Sequence, residues 1–295
     1  MKQVCPSQSI RCLEKNEIVR YGRYYRTSDR KWIQRYKCAS CSRYFSQSTN
    51  SPCFGQNKRQ VNHKVRKLLV SGVSQRRISF LLNIHMITVA RKLKFLGLKA
   101  RHFNYLNRTR REKVFELQFD DLETIEHTKL KPLSVTLAVE KYSRFIVGFE
   151  VSRMPAKGLL AKRSVKKYGP RKDERFMARE RLFRRIGPQI SPLALIESDD
   201  NPHYKASVKK FFPNCKHRAF LGARGAITGQ GELKKIGFDP LFSLNHTCAM
   251  LRANINRLFR KTWCTTKKIQ PLIDHIELYV QFHNQILIKN QRLEA

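Results

Sequence analysis

Positive charge is spread over the whole length of this 295-residue chain, and it limits what the chain can fold into. The sequence has 60 lysine and arginine residues against 22 acidic ones, a formal net charge of +38. A surplus of this size repels itself in a compact state unless an anionic partner neutralises it. Because the basic residues are not confined to one end, the charge belongs to folded surfaces and predicts a polyanionic partner.

Three polyanions fit this charge, namely DNA, RNA and an anionic membrane surface, and a disordered basic tail is a fourth explanation. A hydrophobic content of 41% and an aromatic content of 10% argue for a folded chain. No apolar run approaches the roughly 18 residues of a membrane span, and the N-terminus lacks the apolar stretch of a signal peptide. We therefore expect a cytoplasmic protein without a membrane partner, which binds nucleic acid along an extended surface.

Four of the eight cysteines fall within the first 41 residues. In a reducing compartment, such cysteines are metal ligands or buried thiols more often than disulfides. A C-x-x-C turn and a second pair brought close by a hairpin can bind one tetrahedral zinc ion. The predicted zinc ligands are Cys5, Cys12, Cys38 and Cys41. Six residues separate the first pair, so ordinary buried thiols remain the alternative, with Cys53 and His63 as substitute ligands.

The zinc site predicts a ribbon-like module over residues 1–55. Aromatic and cationic side chains alternate between the two cysteine pairs. They are Tyr21, Arg23, Tyr24, Tyr25, Arg26, Arg30, Lys31, Trp32, Arg35 and Tyr36. On a two-stranded ribbon, these rings and guanidinium groups would face a phosphate backbone. A small ribbon core with solvated charges is the alternative interpretation.

Residues 61–98 show a helical period of apolar side chains, interrupted at Gly72 and at the turn over residues 83–85. Short helices separated in this way predict a helix-turn-helix DNA-binding domain over residues 56–108. A three-helix packing unit without a role in DNA binding is the alternative.

The helix boundaries assign roles to individual residues of this domain. Ser74 is expected to cap one helix, and Ile87 and Thr88 are expected to open the recognition helix. The polar residues predicted to face the DNA groove are Thr88, Arg91 and Lys92.

Acidic residues are rare in this chain, yet two Asp-Asp pairs lie on apolar strands. Asp120 and Asp121 belong to VFELQFDDLE, the first of three predicted strands, and a later buried strand, LALIES, ends in Asp199 and Asp200. Carboxylates on adjacent strands can bind the two Mg²⁺ ions of a nucleotidyl-transfer site. Surface aspartates at strand ends are the alternative, since turns favour them. The domain that carries these aspartates is predicted over residues 109–295, with an α/β architecture. The whole chain would then belong to the α+β class.

Three motifs resemble bacterial insertion-sequence DDE transposases of the InsA/InsB type, with the zinc and helix-turn-helix part fused to the catalytic part. FDDLE matches the motif of the first catalytic aspartate and SDDNPHY that of the second, which implies these roles for Asp120 and Asp199. Counting back from LRANINRLFRKTW places Asn245 where the family has a glutamate. The resemblance runs from Cys5 to about Asn284 and implies an RNase H-like fold with a mixed sheet flanked by helices.

The resemblance also implies the chemistry, which is nicking of a transposon end followed by attack of the freed 3′-OH on target DNA. Mg²⁺ or Mn²⁺ would be held by Asp120, Asp199 and Asn245, with lower affinity because an asparagine oxygen carries no charge. The residues expected to hold DNA phosphates are Arg260, Lys261 and Lys267. His246 would either assist a proton transfer or pack within its helix.

Pairing of two transposon ends would require at least a dimer acting on double-stranded DNA in the nucleoid. Two rival functions remain open: a catalytically silent DNA-binding regulator or degenerate copy, which Asn245 favours, and an RNase H-like nuclease without strand transfer. The basic segment 155–188 has no counterpart in the family and is predicted as a helical insertion that either follows DNA or is a solvated surface.

Overall fold

The computed structural model describes residues 3–7, 9–15, 17–221, 239–259 and 263–288. Two compact units make up the chain, Met1–Lys64 and Val65–Ala295. Arg260 and Lys261, predicted to hold phosphates, lie outside the described residues. No helix of the described ranges has both the length and the apolar character needed to cross a membrane.

The first unit is a small antiparallel sheet with one short helix. Its elements are α1 (Ile10–Lys15), β1 (Ile18–Arg26), β2 (Lys31–Cys38) and β3 (Tyr44–Ser46), with the strand order β1-β2-β3. The register of β1 on β2 shifts between Arg20 and Arg23, where Gly22 has a φ of +67° that a residue with a side chain rarely adopts. The core consists of three buried cysteines packed with Phe45.

Three helices follow, α2 (Asn62–Leu69), α3 (Gln75–Leu81) and α4 (Met86–Thr109). The Ser74 hydroxyl caps α3, as the sequence predicts, by accepting a hydrogen bond from the backbone N–H of Arg77. Residues 82–85 join α3 to α4, and Asn83 adopts a left-handed φ of +47° there. The predicted recognition helix therefore begins at Met86 and is 24 residues long.

A five-stranded mixed sheet forms the centre of the second unit. Its strands are β4 (Val114–Ile125), β5 (Pro132–Glu140), β6 (Ile146–Arg153), β7 (Ile190–Asp199) and β8 (Lys216–Phe220), in the order β6-β5-β4-β7-β8. The pairs β4–β5 and β5–β6 are antiparallel, whereas β4–β7 and β7–β8 are parallel. Helices flank this sheet, so the predicted α/β class with a mixed sheet is confirmed.

The remaining helices are α5 (Leu160–Tyr168), α6 (Arg175–Ile186), α7 (Pro202–Phe211), α8 (Phe242–Asn254) and α9 (Ile269–Phe282). Residues 155–188, which the sequence suggests are an insertion, contain α5 and α6. The Phe183 ring of α6 meets the Phe119 ring of β4 edge to face at 5.0 Å, and Leu182 and Ile186 are fully buried in the same core. Helix α6 is therefore part of the core of this unit, because it covers the sheet with apolar side chains.

Helices α4 and α9 approach each other closely at Gly97. A Cβ atom at this position would lie 2.6 Å from the Cβ of Asp274, closer than such atoms come in proteins. Beyond α9, the Asn284 side chain donates to the backbone oxygen of Ile146 and accepts from its N–H, both at 3.0 Å. These contacts fix α4 and α9 against one another and against the edge strand β6.

Candidate functional site

The four cysteines predicted as zinc ligands converge in the first unit. Their Sγ atoms all lie within 4.8 Å of one another, with 3.6 Å between Cys5 and Cys41 and 3.8 Å between Cys12 and Cys38. Thiolates at about 2.3 Å from a tetrahedral zinc ion are separated by about 3.8 Å, whereas disulfide sulfurs lie about 2.05 Å apart. Among the described residues, the cluster includes no other histidine, cysteine or acidic side chain.

Local structure explains how these thiols meet and ionise. Cys12 lies on α1, where the Ser9 hydroxyl donates to its Sγ at 2.9 Å, and Cys38 ends β2 one turn before Cys41. Burial opposes ionisation of Cys38, but hydrogen bonds from the backbone and thiol of Cys41 outweigh it and lower the pKa of Cys38 to about 7. Burial instead raises the pKa of Cys5 to about 12. The closeness of the four thiols is what suits a soft divalent cation such as Zn²⁺, whose binding displaces the remaining thiol protons.

Asp120 and Asp199 occupy matching positions on adjacent parallel strands of the second unit. The register pairs Gln118 of β4 with Glu197 of β7, and each aspartate lies two residues further along its strand. Side chains two residues apart share a face of a sheet, and neighbouring strands are about 4.8 Å apart. The fold therefore places both carboxyl groups on one face, at the end of β7.

The electrostatics of this pair favour a cation. Burial and the charge of Asp199 raise the pKa of Asp120 to about 7, and burial also raises the pKa of Asp199. Asp199 Oδ1 is buried and accepts no hydrogen bond from the described part of the chain. A positive charge placed between two desolvated carboxyl groups would offset their repulsion.

Asp120→Asn should stabilise the second unit in Mg²⁺-free buffer, and the gain should grow with pH. The folded protein holds the Asp120 proton more tightly than the unfolded chain, because the folded pKa of about 7 exceeds the ordinary value of 3.8. Ionisation therefore destabilises the fold as pH rises from about 4 through 7, and the gain should be on the order of 2 kcal/mol larger at pH 8 than at pH 5. Thermal unfolding at the two pH values measures it.

Asp173→Asn is the matched control, because hydrogen bonds from Arg175 lower the pKa of Asp173. Its carboxylate favours the fold when ionised, so removing the charge should give no gain at pH 8. A gain for Asp120→Asn that is equal at both pH values would show that the carboxyl group is not desolvated as described.

Tyr204 and Arg179 support the aspartates from the helices beside the sheet. The Tyr204 hydroxyl, on α7, donates to Asp120 Oδ1 at 3.1 Å. Arg179 of α6 lies over the Tyr204 ring at 4.7 Å, donates to Ser207 Oγ at 3.0 Å and approaches Asp121 at 3.9 Å. The buried Arg179 guanidinium thus offsets the negative charge of Asp121, while Tyr204 orients Asp120.

A buried polar network fixes the start of α8 beside this site. Gln118 Nε2 donates to Glu197 at 2.9 Å and to the backbone oxygen of Pro240 at 2.8 Å, while Gln118 Oε1 accepts from the N–H of Leu244 at 3.1 Å. Lys141 neutralises the fully buried Glu197 at 3.1 Å. Gln118, two residues before Asp120, therefore anchors the first turn of α8.

Asn245 lies on this first turn, and its side chain is exposed. Its Nδ2 donates to Asp239 Oδ2 at 2.9 Å, which leaves the amide oxygen as the atom available to a cation. Cys248 lies three residues further along the same helical face, and burial followed by the charge of Asp120 raises its pKa to about 12. The Cys248 thiol is thus within electrostatic reach of Asp120.

His246 is engaged elsewhere. Its ring nitrogen Nδ1 lies 3.1 Å from Arg144 Nη1, and burial together with that positive charge lowers its pKa. A neutral imidazole bound to an arginine is a packing contact of α8 rather than a proton donor near the aspartates.

The residues predicted to face a DNA groove differ in exposure. Arg91 is exposed and Thr88 is half-buried on α4. Lys92 is only 2% exposed and makes its polar contact inside the protein, so its ammonium group is not at the surface. Among neighbouring basic residues, Lys94 is exposed.

Lys267, predicted to hold phosphate, lies close to the beginnings of α3 and α4. Its ammonium group is 2.8 Å from His127 Nδ1, and it lines a groove of about 910 Å³ together with Ser74, Met86 and Lys94. The fold therefore joins one predicted phosphate ligand of the C-terminal region to the start of α3 and α4.

Aromatic and cationic side chains contact one another on the sheet of the first unit. Tyr25 and Trp32 are exposed and their ring centroids lie 5.5 Å apart, and the Arg35 guanidinium lies 5.0 Å above the Tyr24 ring. Because successive side chains of a strand point to opposite sides, the Tyr25–Trp32 pair and the Tyr24–Arg35 pair lie on opposite faces of the sheet.

Sequence reasoning missed three groups around the aspartates: Asp239, the Gln118–Glu197 pair and Tyr204. Asp239 precedes a proline at the start of a helix, a pattern typical of a capping residue, and it does accept from the N–H of Leu241 at 3.0 Å. The Gln118–Glu197 contact has no sequence signal, because its partners are 79 positions apart. No protein-family model matches this chain, and a search of curated proteins found no match.

Proposed function

We propose that this chain is a transposase, which binds the ends of a DNA element and carries out metal-dependent strand cleavage and strand transfer. The observation that carries the proposal is the placement of Asp120 and Asp199 at matching positions of two parallel strands, with a buried and unpaired carboxylate oxygen. An RNase H-like fold for the second unit belongs to this proposal, and the mixed sheet with flanking helices supports it.

Asp120 and Asp199 would hold divalent metal ions, Mg²⁺ or Mn²⁺, with the Asn245 oxygen as a weaker third ligand. When bound, the metal ions supply activation of the attacking oxygen and neutralisation of charge on the leaving oxygen. Tyr204 keeps Asp120 oriented, and Asp239 positions Asn245 through the bond at 2.9 Å. These contacts hold the ligands without rearrangement, which is what a nucleotidyl-transfer site requires.

Binding of double-stranded DNA is assigned to the basic surfaces of both units. The net charge of +38 supports this assignment, as do exposed Arg91 and the groove that contains Lys267. We propose that α3 and α4 act as a helix-turn-helix, that the cysteine cluster holds one structural Zn²⁺, and that the chain acts as a dimer or higher oligomer in the nucleoid.

An in vitro assay with the element's own flanking DNA tests the whole function. Purified protein with Mg²⁺ should cleave a labelled terminal-repeat duplex and join its 3′-OH to a target plasmid. Cleavage without joining would identify an RNase H-like nuclease. Binding without either reaction would favour a silent regulator, the candidate that the uncharged and exposed Asn245 supports.

Arg91→Ala should weaken binding of full-length protein to the element end by about 5- to 10-fold and reduce the salt dependence by about one counterion, because it removes one exposed phosphate or base contact. Lys99→Ala, which removes an exposed charge further along α4, is the control and should bind nearly as the wild type. Fluorescence anisotropy at several salt concentrations measures both. Equal effects of the two variants would show that Arg91 contributes only general charge.

A further inference from the structure

A pocket of about 410 Å³ lies in the second unit between α4, α9 and the edge strand β6, away from the strands that carry the aspartate pair. Pockets that bind small ligands have volumes of about 300 to 1,000 Å³. Side chains such as Val147, Phe149 and Val280 form an apolar wall. Its charged lining residues are Arg101, Arg108, Arg185 and Glu277.

Two of the three arginines are neutralised by the protein. Arg101 contacts Glu277 at 3.4 Å and Asp274 at 3.5 Å. Arg185 contacts Glu150 at 3.2 Å and also donates to the backbone oxygen of Phe149. Glu277 in turn accepts from Asn104 at 2.8 Å, so the one carboxylate in the wall is already paired.

Arg108 is the exception. It is only 8% exposed, its Nε atom is buried without a hydrogen-bond partner, and no carboxylate of the described ranges forms an ion pair with it. Burial and the nearby charge of Arg185 lower the pKa of Arg108, and the charge of Glu277 offsets this only in part. A buried guanidinium N–H without an acceptor is costly, and an anion in the pocket would supply the missing acceptor.

Tyr105 adds a second recognition element. Its ring is 55% exposed, lines the same pocket and lies 5.8 Å from the Arg108 guanidinium carbon. An exposed ring beside a buried cation suits a ligand that carries a flat base next to a phosphate, because bases stack on aromatic side chains.

We propose that this pocket binds the phosphomonoester of a nucleotide, with Arg108 as its principal ligand and Tyr105 against its base. The phosphate can belong to a free mononucleotide or to the 5′ end of a DNA strand. This binding site does not depend on the proposed strand-transfer activity, because none of its residues belongs to the aspartate pair.

Thermal unfolding of full-length protein tests the proposal, with adenosine 5′-monophosphate as the probe and adenosine as the uncharged control. At about ten times its Kd, the nucleotide should raise the Tm of the wild type by about 3 to 6 °C, while adenosine should have no effect. Arg108→Met should remove this shift. Arg110→Met, which removes an exposed charge two residues away, should retain it.

The unliganded variant provides a second readout. Arg108→Met should unfold at the same or a higher temperature than the wild type, because the buried charge without an acceptor is gone. A lower Tm would mean that Arg108 has a structural role, and equal nucleotide shifts in all three proteins would place the anion elsewhere on the basic surface; either result overturns the proposal. If a 5′-phosphorylated trinucleotide gives the Arg108-dependent shift and the free nucleotide does not, the strand end is the source.

Discussion

Asp120→Asn and Asp199→Asn should each reduce Mg²⁺-dependent cleavage of a terminal-repeat duplex by about 10³-fold or more, which corresponds to about 4 kcal/mol of transition-state stabilisation. Each change removes one of the two charged ligands that the sheet places side by side, whereas the asparagine keeps the shape of the side chain. DNA binding should stay within about twofold of the wild type, since these carboxyl groups contribute no positive charge. Gel-based cleavage and anisotropy measurements separate the two effects.

Two further variants sharpen this test. Asp173→Asn removes an acid paired with Arg175, outside the site, and should cleave as the wild type does. Asn245→Glu restores the acidic residue that the resemblance expects and should retain or raise activity, because a charged oxygen binds Mg²⁺ more tightly. Full cleavage by Asp120→Asn would show that Asp120 is not a catalytic ligand and that cleavage takes place at another site.

Cys38→Ser should release the bound metal and unfold the first unit. Structural zinc sites contribute about 10 to 16 kcal/mol of apparent binding free energy to small domains, and this unit has only a small core around its cysteines. Metal analysis should find about one zinc per wild-type chain and less than about a tenth of that in the variant. Loss of protection of β1–β3 amides in hydrogen exchange should accompany the metal loss.

Cys53→Ser is the control for this experiment. Cys53 is half-buried and lies outside the cluster, where Asn62 Nδ2 donates to its Sγ at 3.6 Å. This variant should keep its zinc and its exchange protection. Full zinc content in Cys38→Ser, with the fold intact, would contradict the assignment of the cluster as a metal site.

The strands and the cysteine cluster were predictable because their signals are local. The apolar pattern of VFELQFDDLE identified β4, whose observed end at Ile125 lies two residues beyond the predicted one. The C-x-x-C pair fixes Cys38 and Cys41 on one turn. Cys5 and Cys12 needed the structure, because their spacing does not show that α1 brings Cys12, and the segment before α1 brings Cys5, to the pair.

The surroundings of the aspartates were not predictable, because their partners come from distant parts of the chain. Tyr204 reaches Asp120 across 84 positions, and Gln118 reaches Leu244 across 126. Burial also overrides pattern: Lys92 looks like a groove-facing residue on a basic helix, but it is on the inward side, one residue before buried Leu93. The helical periodicity of a sequence does not by itself show which neighbouring elements will cover each side of the helix.

Helix α4 extends over 24 residues, about 36 Å at 1.5 Å per residue, with Arg91 near one end and Arg108 near the other. Its midpoint, Gly97, is pressed so closely on Asp274 of α9 that neither rotation nor sliding of α4 is possible without unpacking that contact. Any residue larger than glycine at position 97 would therefore push the two helices apart in the middle of α4, between the exposed Arg91 and the pocket that contains Arg108.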